Sequence, residues 1–567
     1  MVTIVQLLQQ RLQAALAASG FLEDELPQVA PTTDQRHGDY QSNIAMVLSK
    51  KLKQNPRAMA TRIVENLDLK ELGPTPEIAG PGFINVRLNP EFIAERLVAY
   101  ANDPRLGIDP VASPKRLIIE FSSPNIAKPM HVGHIRSTIL GDTLARIARF
   151  LGHHVITDNH LGDWGTQFGK VIYGWKHLLD RMALDKNPVA ELVRLYRDVD
   201  ALSKTDSEVL ECCRLELVKL QQGDSENFQI WRQCMELSKR EFSKIYAILR
   251  IEFDYQLGES FYNPELTTTV EELLWLGIGE VSNGAVVVWD HSLGDAPFML
   301  RKSDGGFGYA TTDVATLEYR IRHWNANAIW YVVGAPQQLH FQQLFSLSKR
   351  LGHTVSLEHI AFGSILGEDR KLMRTRSGES IPLRELLDEA VSRATVLVGE
   401  KNPQLSKEER SAVGCIVGIG AVKYTELSQH RLTNYVFSWD KMLSLHGNTA
   451  PYLQNAYVRS RSIFRKLDSV FVPPETVELR EQAELALARK ILQYAEVVPT
   501  IVEGFRPNVL ANYLYELAAQ YHGFYESCSI LSSGGTTRQA RLLLCDVFAR
   551  VLKHGLDLLG IQVPEKM

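Results

Sequence analysis

Cysteine is scarce in this chain: six thiols in 567 residues, at positions 212, 213, 234, 415, 528 and 545. No two stand as C-x-x-C, so neither a cysteine-rich zinc site nor a dithiol redox motif is encoded, and the irregular spacing argues against a disulfide framework. Long apolar runs are missing too; none approaches the roughly 20 residues that cross a bilayer. The first residues show no basic stretch ahead of an apolar core and little of the Arg/Ser bias of a transit peptide. Together these absences predict a reduced, cytoplasmic chain without a membrane partner. Excess charge is also lacking. The formal net charge is −4, from 62 basic and 66 acidic side chains, so any nucleic-acid surface must be local and non-specific coating is disfavoured. Internal repeats and low-complexity tracts are absent.

What is present is ordinary globular composition at a length too great for one core. The apolar share of 45% and charged share of 23% fit several packed domains. Residues 1–108 read as an N-terminal α+β unit. Leu8, Leu12 and Leu16 mark an amphipathic helix stopped by Gly20, and Pro81-Gly82 precedes a short strand, Phe83–Val86. Residues 115–428 read as an α/β unit. Leu117–Phe121, His154–Thr157 and Ile329–Val333 are apolar runs of the length and β-branched content of buried parallel strands, which predicts a Rossmann-like doubly wound sheet. A helix-rich insertion is expected over about 176–300, with strands at Gly284–Asp290 and Pro297–Tyr309 around the Asp304–Gly306 turn. From 429 to 567 periodic Leu/Ala runs, at 480–498, 512–525 and 541–559, predict an all-α bundle.

One junction carries most of the chemistry. Ser123-Pro124-Asn125-Ile126-Ala127-Lys128-Pro129-Met130-His131-Val132-Gly133-His134-Ile135 joins the strand at 117–121 to a helix whose apolar positions are Ile135, Ile139, Leu140, Leu144, Ile147 and Leu151, with Gly152 placed to stop it. The first N–H groups of that helix lack intrahelical partners and suit a phosphate. Gly133 allows close approach of a ligand to the backbone, His131 and His134 supply donors, and Lys128 adds a mobile cation. Capping histidines, or half of a metal site, are the alternatives.

Elsewhere, Glu120 ends a buried strand where α/β folds bind ligands, and Tyr309 and Asp313 share one helical face at i,i+4. A structural ion pair for Glu120, and a cap with a packed ring for the other two, are the competing readings. In Gly447–Arg461, aromatics alternate with arginines, which suits RNA loops but equally a helix core.

The stretch from Phe121 to Asp142 resembles the HIGH signature of class I aminoacyl-tRNA synthetases, in the form found in arginyl-tRNA synthetases. Further blocks follow in the expected order: Asn159–Gly169, Gly308–Ala315, Tyr331–Phe341, Gly367–Gly378, Gly447–Leu453 and the terminal Gly555–Met567. The resemblance implies ATP-dependent formation of arginyl-adenylate and transfer of arginine to the terminal adenosine of tRNA(Arg), with tRNA needed for activation, Mg²⁺ accompanying ATP, no zinc or other bound metal, and a monomer. It implies Lys128, His131, Gly133, His134, Lys371 and Arg374 as catalytic. Arginine would meet Glu120, Ser122, Asn125, His134, Tyr309, Asp313 and Gln337. ATP would meet His131, Gly133, His134, His340 and Met373. The tRNA would meet Phe83 and Asn85 at its D-loop corner, and Tyr452, Tyr457, Arg459 and Arg461 in the anticodon-binding bundle.

Two departures stand out. The usual K-M-S-K-S loop is here Arg370-Lys371-Leu372-Met373-Arg374-Thr375-Arg376; Leu372 and Thr375 carry no charge, and Lys128 is in place to compensate. Pro336 fixes φ and removes a donor beside Gln337 and Gln338. Another ligase or nucleotidyltransferase using the histidine signature, and a non-catalytic RNA-binding relative, remain as alternatives. The long helical C-terminus disfavours the first, and the retained His131, His134 and Lys128 disfavour the second.

Overall fold

The computed structural model describes residues 1–21, 27–32, 34–165, 167–373 and 380–567. At its centre lies a four-stranded parallel sheet of β1 (Arg116–Glu120), β2 (His154–Asp158), β3 (Ala328–Tyr331) and β4 (Ser356–His359), ordered β4-β3-β1-β2. The first three are the strands the apolar runs predict. The fourth, Ser-Leu-Glu-His, lies at the sheet edge with alternate residues exposed, so it lacks the continuous apolar run of a strand covered on both faces. Successive strands fall on opposite sides of β1, so the strand order switches between β1 and β3, and a crevice opens at their carboxyl ends.

Helix α1 (Val132–Phe150) leaves that crevice and runs through the middle of the molecule. Ile135, Ile139, Leu144 and Ile147 are at most 1% exposed, and Gly152 ends the helix in a left-handed turn at φ +96°. One side of α1 lies on the sheet. Elsewhere it meets five helices: Leu383–Lys401, Lys407–Leu427, Tyr494–Gly504, Pro507–Ser527 and Gly535–Leu558. Polar residues there are buried and paired. Arg136 Nε lies 3.0 Å from Glu426, and Asp142 holds Arg146 at 2.8 Å and faces Lys423 at 3.8 Å.

The insertion includes the helices Gln167–Leu178, Arg181–Lys186, Pro188–Thr205, Ser207–Gln221, α2 (Ser225–Leu249) and Asn263–Trp275, followed by an antiparallel sheet of Glu280–Ser282, Ala285–Val288 and Phe298–Arg301. The strand expected to reach Tyr309 stops at Arg301. Gly308 is an extended N-cap, and Tyr309 opens α3 (Tyr309–Arg322). Helix α4 (Gln338–Arg350) returns the chain toward β4.

In the N-terminal unit, helices Ile4–Ala18, Ile44–Leu52 and Pro56–Glu65 cover an antiparallel sheet that includes the predicted Phe83–Val86. This unit docks on the C-terminal helices: Tyr100 Oη donates to Leu492 O at 3.0 Å, and Arg489 Nε meets Asp39 at 3.2 Å. Within the expected all-α unit 429–567, Tyr435–Val436 is instead a short strand paired with Ile365–Leu366, and the regular elements from Ala450 on are helices. The periodic run over 480–498 is two helices, Gln482–Leu492 and Tyr494–Gly504, broken at Gln493. A one-residue break leaves the apolar phase nearly unchanged, so periodicity does not detect it. Among the described residues no helix is long and apolar enough to cross a membrane.

Candidate active site

At the N-terminus of α1 the two histidines cap the helix reciprocally. Gly133 N–H donates to His131 Nδ1, and His131 N–H donates to His134 Nδ1, both at 3.1 Å, with the rings 4.1 Å apart. Each Nδ1 is therefore an acceptor, and in a neutral ring the proton sits on Nε2. Burial lowers the His131 pKa, with Lys128 adding to it, and burial together with the His131 charge pushes His134 down to about 4. At neutral pH both rings present neutral Nε2–H donors beside the positive end of the helix.

A proton refused by folded His134 but accepted by the unfolded chain destabilises the fold as pH falls. Between about pH 6.5 and 4 the unfolded state binds more protons, so stability rises with pH across that window. His134→Gln is expected to flatten this slope in urea midpoints measured from pH 4.5 to 7. An unchanged slope would mean that His134 titrates normally.

Gly133 is required by the ring that caps the helix. A Cβ there would sit 2.8 Å from His131 Cε1 and 2.9 Å from Nδ1. A ring can move more cheaply than backbone, so Gly133→Ala is expected to fold with a stability change within about 1 kcal/mol. Its adenylation rate should fall about 10- to 100-fold as the imidazole leaves its position. Wild-type adenylation in burst kinetics would refute the steric argument.

The strand-to-helix loop is strained and held from outside. Ser122, Ser123 and Ala127 have φ of +72°, +47° and +59°, each unfavourable for a side chain by about 1 kcal/mol. Ser122 N–H donates to Ser137 Oγ at 2.9 Å, Ser123 N–H to Asn159 Oδ1 at 3.0 Å, and Ala127 N–H to Ser238 Oγ at 3.1 Å. Ser122 Oγ itself meets Tyr246 Oη at 2.8 Å and Thr138 Oγ1 at 2.9 Å, so that hydroxyl is engaged internally. Tyr246 and Ser238 belong to α2, which makes the insertion a brace for this loop. Asn125 is exposed. Lys128 is exposed as well, with Nζ 5.5 Å from the centre of the Tyr196 ring.

Beside the capped terminus lies a cleft of about 230 Å³ lined by His131, Gly133, Arg136, Gly334, Pro336, Phe362, Leu372 and Met373 among others. Pro336 lies in a 3-10 turn, Ala335–Gln337, where a missing donor costs little, and Gln337 is exposed at its end. Lys371 is exposed in a turn closed by Gly367 N–H to Lys371 O at 2.8 Å. Arg374 and Arg376 lie outside the described residues. Arg136 is a cation of this cleft that the sequence reading passed over. Its guanidinium also donates to Thr433 O at 3.0 Å, and burial pushes its partner Glu426 up to about 7. The available signal was a charge on a helix otherwise reading as core.

A second, acidic group of residues lies along α3 and the edge of the sheet. Asp313 accepts from His340 Nε2 at 2.5 Å, and Tyr309, 65% exposed, packs its ring 4.8 Å from the same imidazole. His340, expected near the nucleotide, also orients Asp313. Its spacing after β3 fixed its neighbourhood but not its partner. Glu259 was also missed. Burial raises its carboxyl to about 7, opposed by His160 and reinforced by the like charges of Asp313 and Asp163. Glu120 is 7% exposed, with Oε2 2.6 Å from Arg320, so one of its oxygens is held in an ion pair.

On the C-terminal helices α5 (Ala450–Phe464) and α6 (Pro507–Ser527), Tyr452 meets Tyr515 and His522 at ring distances of 5.6 and 5.2 Å, and Arg459 lies 4.1 Å from the Tyr525 ring. All five are partly exposed. Tyr457 is 5% exposed and belongs to the core, and Arg461 is paired with Asp546 at 3.2 Å. Far away, Phe83 is half-buried, while Asn85 is 5% exposed with Oδ1 lacking a hydrogen-bond partner among the described residues.

The family model for the catalytic domain of class I (R) tRNA synthetases matches residues 101–439. Those for the arginyl tRNA synthetase N-terminal domain and the DALR anticodon-binding domain match 6–88 and 453–567. The chain is 45% identical to the arginine–tRNA ligase of Synechococcus sp. over 99% of both chains, and 42% identical to that of Laribacter hongkongensis over 100% of both. Among solved structures, arginyl-tRNA synthetase of Plasmodium falciparum matches at TM-score 0.87 and 30% identity, covering 100% of each chain. The Thermus thermophilus enzyme shares the fold at TM-score 0.82 and 24% identity. By its catalytic-domain match and its full-length relatives, the chain belongs to the arginyl-tRNA synthetases of class I.

Proposed function

We propose that this chain is an arginine–tRNA ligase: it activates L-arginine with ATP and transfers it to the 3′-terminal adenosine of tRNA(Arg). The observation that carries this reading is the pairing of a helix terminus capped by two neutral histidines with an acidic, ring-bearing pocket at Tyr309 and Asp313. In the first step the arginine carboxylate attacks the α-phosphorus of ATP, and pyrophosphate leaves. The Nε2–H groups of His131 and His134, the N–H groups at the start of α1, and the cations Lys128 and Lys371 meet the negative charge that develops on the phosphates. In the second step a ribose hydroxyl of the terminal adenosine attacks the activated carbonyl, and AMP leaves. Catalysis is mainly positioning and electrostatics, and no covalent enzyme intermediate is required.

Mg²⁺ enters with ATP. The polar groups lining the cleft are chiefly donors rather than oxygen ligands, so the chain itself does not fit a Mg²⁺ cage, and no step above is routed through the ion. The half-exposed cluster of Tyr452, Tyr515, His522, Tyr525 and Arg459 suits anticodon bases by stacking and cation contact. Phe83 and Asn85, whose Oδ1 has no hydrogen-bond partner among the described residues, suit the D-loop corner. The division at 1–108, 115–428 and 429–567 then separates D-loop contact, chemistry and anticodon reading, within a cytoplasmic monomer whose six thiols are free.

ATP–pyrophosphate exchange with each amino acid, run with and without total tRNA, tests the reading. Exchange with arginine alone, appearing only when tRNA is present, is expected. Exchange with another amino acid would overturn the pocket, and equal rates without tRNA would overturn the requirement for it.

A further inference from the structure

The carboxyl edge of the central sheet carries an unusual row. Tyr331 of β3, Glu120 of β1 and Asp158 of β2 are aligned in register across three adjacent parallel strands. Two carboxylates on neighbouring strands repel one another, and an apolar sheet face offers them no water. Arg320, on the inner face of α3 and 0% exposed, resolves the conflict. Its Nη2 donates to Asp158 Oδ2 at 2.8 Å and lies 2.6 Å from Glu120 Oε2. Its guanidinium carbon is 5.6 Å from the centre of the Tyr331 ring. Nε and Nη1 are buried without a hydrogen-bond partner among the described residues. An arginine placed only to stabilise the fold would be expected to engage its fork bidentately. Here a single nitrogen serves both acids, and the guanidinium is shared with the Tyr331 side chain beside it.

We infer that Arg320 is a positioning residue of the arginine pocket: it fixes the Glu120 carboxylate by Oε2 and lets it stand beside Asp158, leaving Oε1 for the substrate guanidinium. This rests on the reading that Glu120 faces the substrate. With Asp313 included, the four side chains sum formally to two negative charges, so a cationic amino acid is taken and a neutral isostere such as citrulline leaves buried charge uncompensated. Arg320 touches no substrate itself. Its effect is on where Glu120 stands, and so on arginine rather than ATP.

Steady-state aminoacylation by the full-length protein, varying arginine and ATP separately, tests this. Arg320→Met is expected to raise KM for arginine about 100-fold, the cost of misplacing a recognition group by about 1 Å, while KM for ATP stays within about threefold. Arg320→Lys should fall between Met and wild type. Should removal of one buried charge prevent folding, Arg320→Met/Asp158→Asn removes one charge of each sign. KM for arginine should stay high in that variant, because balance is restored but position is not. A wild-type KM for arginine in any folded variant lacking Arg320, or equal rises for arginine and ATP, would overturn the inference. Glu120→Gln separates the two levels: an unchanged KM for arginine there would mean that the pocket reading has failed, whatever Arg320 does.

Discussion

Asp313→Asn is expected to lower kcat/KM for arginine about 10³-fold, or about 4 kcal/mol, the range found when one partner of a desolvated charge pair is removed. The substitution preserves shape, so the loss measures charge. Asp313 is well placed to deliver it. It sits one turn into α3 above Tyr309, its side chain is 24% exposed, and His340 fixes one of its oxygens at 2.5 Å. A carboxylate already oriented loses little entropy when a guanidinium arrives. Glu259 nearby, its carboxyl raised to about 7 chiefly by burial, would be drawn toward its charged form by an arriving cation. KM for ATP should change little, because the phosphate cleft lies at the other helix terminus. Discrimination against citrulline should shrink by most of the same factor, since an amide no longer penalises a neutral partner. Aminoacylation with both amino acids measures this; a wild-type kcat/KM for arginine would remove Asp313 from recognition.

His131→Ala is expected to slow adenylate formation by about 10²- to 10³-fold, the usual cost of one preorganised donor at a developing oxyanion. His131 does two jobs, and the two can be separated. As N-cap it accepts from Gly133 N–H at 3.1 Å, which is worth about 1 kcal/mol of stability. As a neutral ring it offers Nε2–H to the phosphate in the cleft it lines. Asparagine is a good N-cap but lacks that donor. His131→Asn should therefore recover the unfolding midpoint lost in His131→Ala and recover little of the rate. Thermal melts and burst kinetics on both variants decide this. Recovery of rate along with stability would mean that the histidine acts through the cap alone.

Local physics accounts for what could be read from the chain itself. Strands β1 and β3 declare themselves because parallel strands buried on both faces are continuously apolar, and the edge strand β2 by its short Val-Ile-Thr run. Helix α1 declares its start by the histidine turn and its end by Gly152, and the Tyr309–Asp313 spacing puts both side chains on one face of whichever helix carries them. The resemblance to the family, and the reaction it implies, rest on such short stretches of sequence. The tertiary structure alone decides which long-range partners meet. Arg320 and Asp158 are 162 residues apart, and Arg136 and Thr433 are 297 apart; nothing in their surroundings in sequence marks them as pairs. The contact between His340 and Asp313 is made only when α4 packs beside α3. Tyr452 and Tyr457 share one helix and one motif, yet one stands in an aromatic platform and the other in the core. The second buried face of α1 is invisible for the same reason. Its contacts are polar, and a polar residue reads as solvent-facing until the chain folds back and supplies the opposite charge.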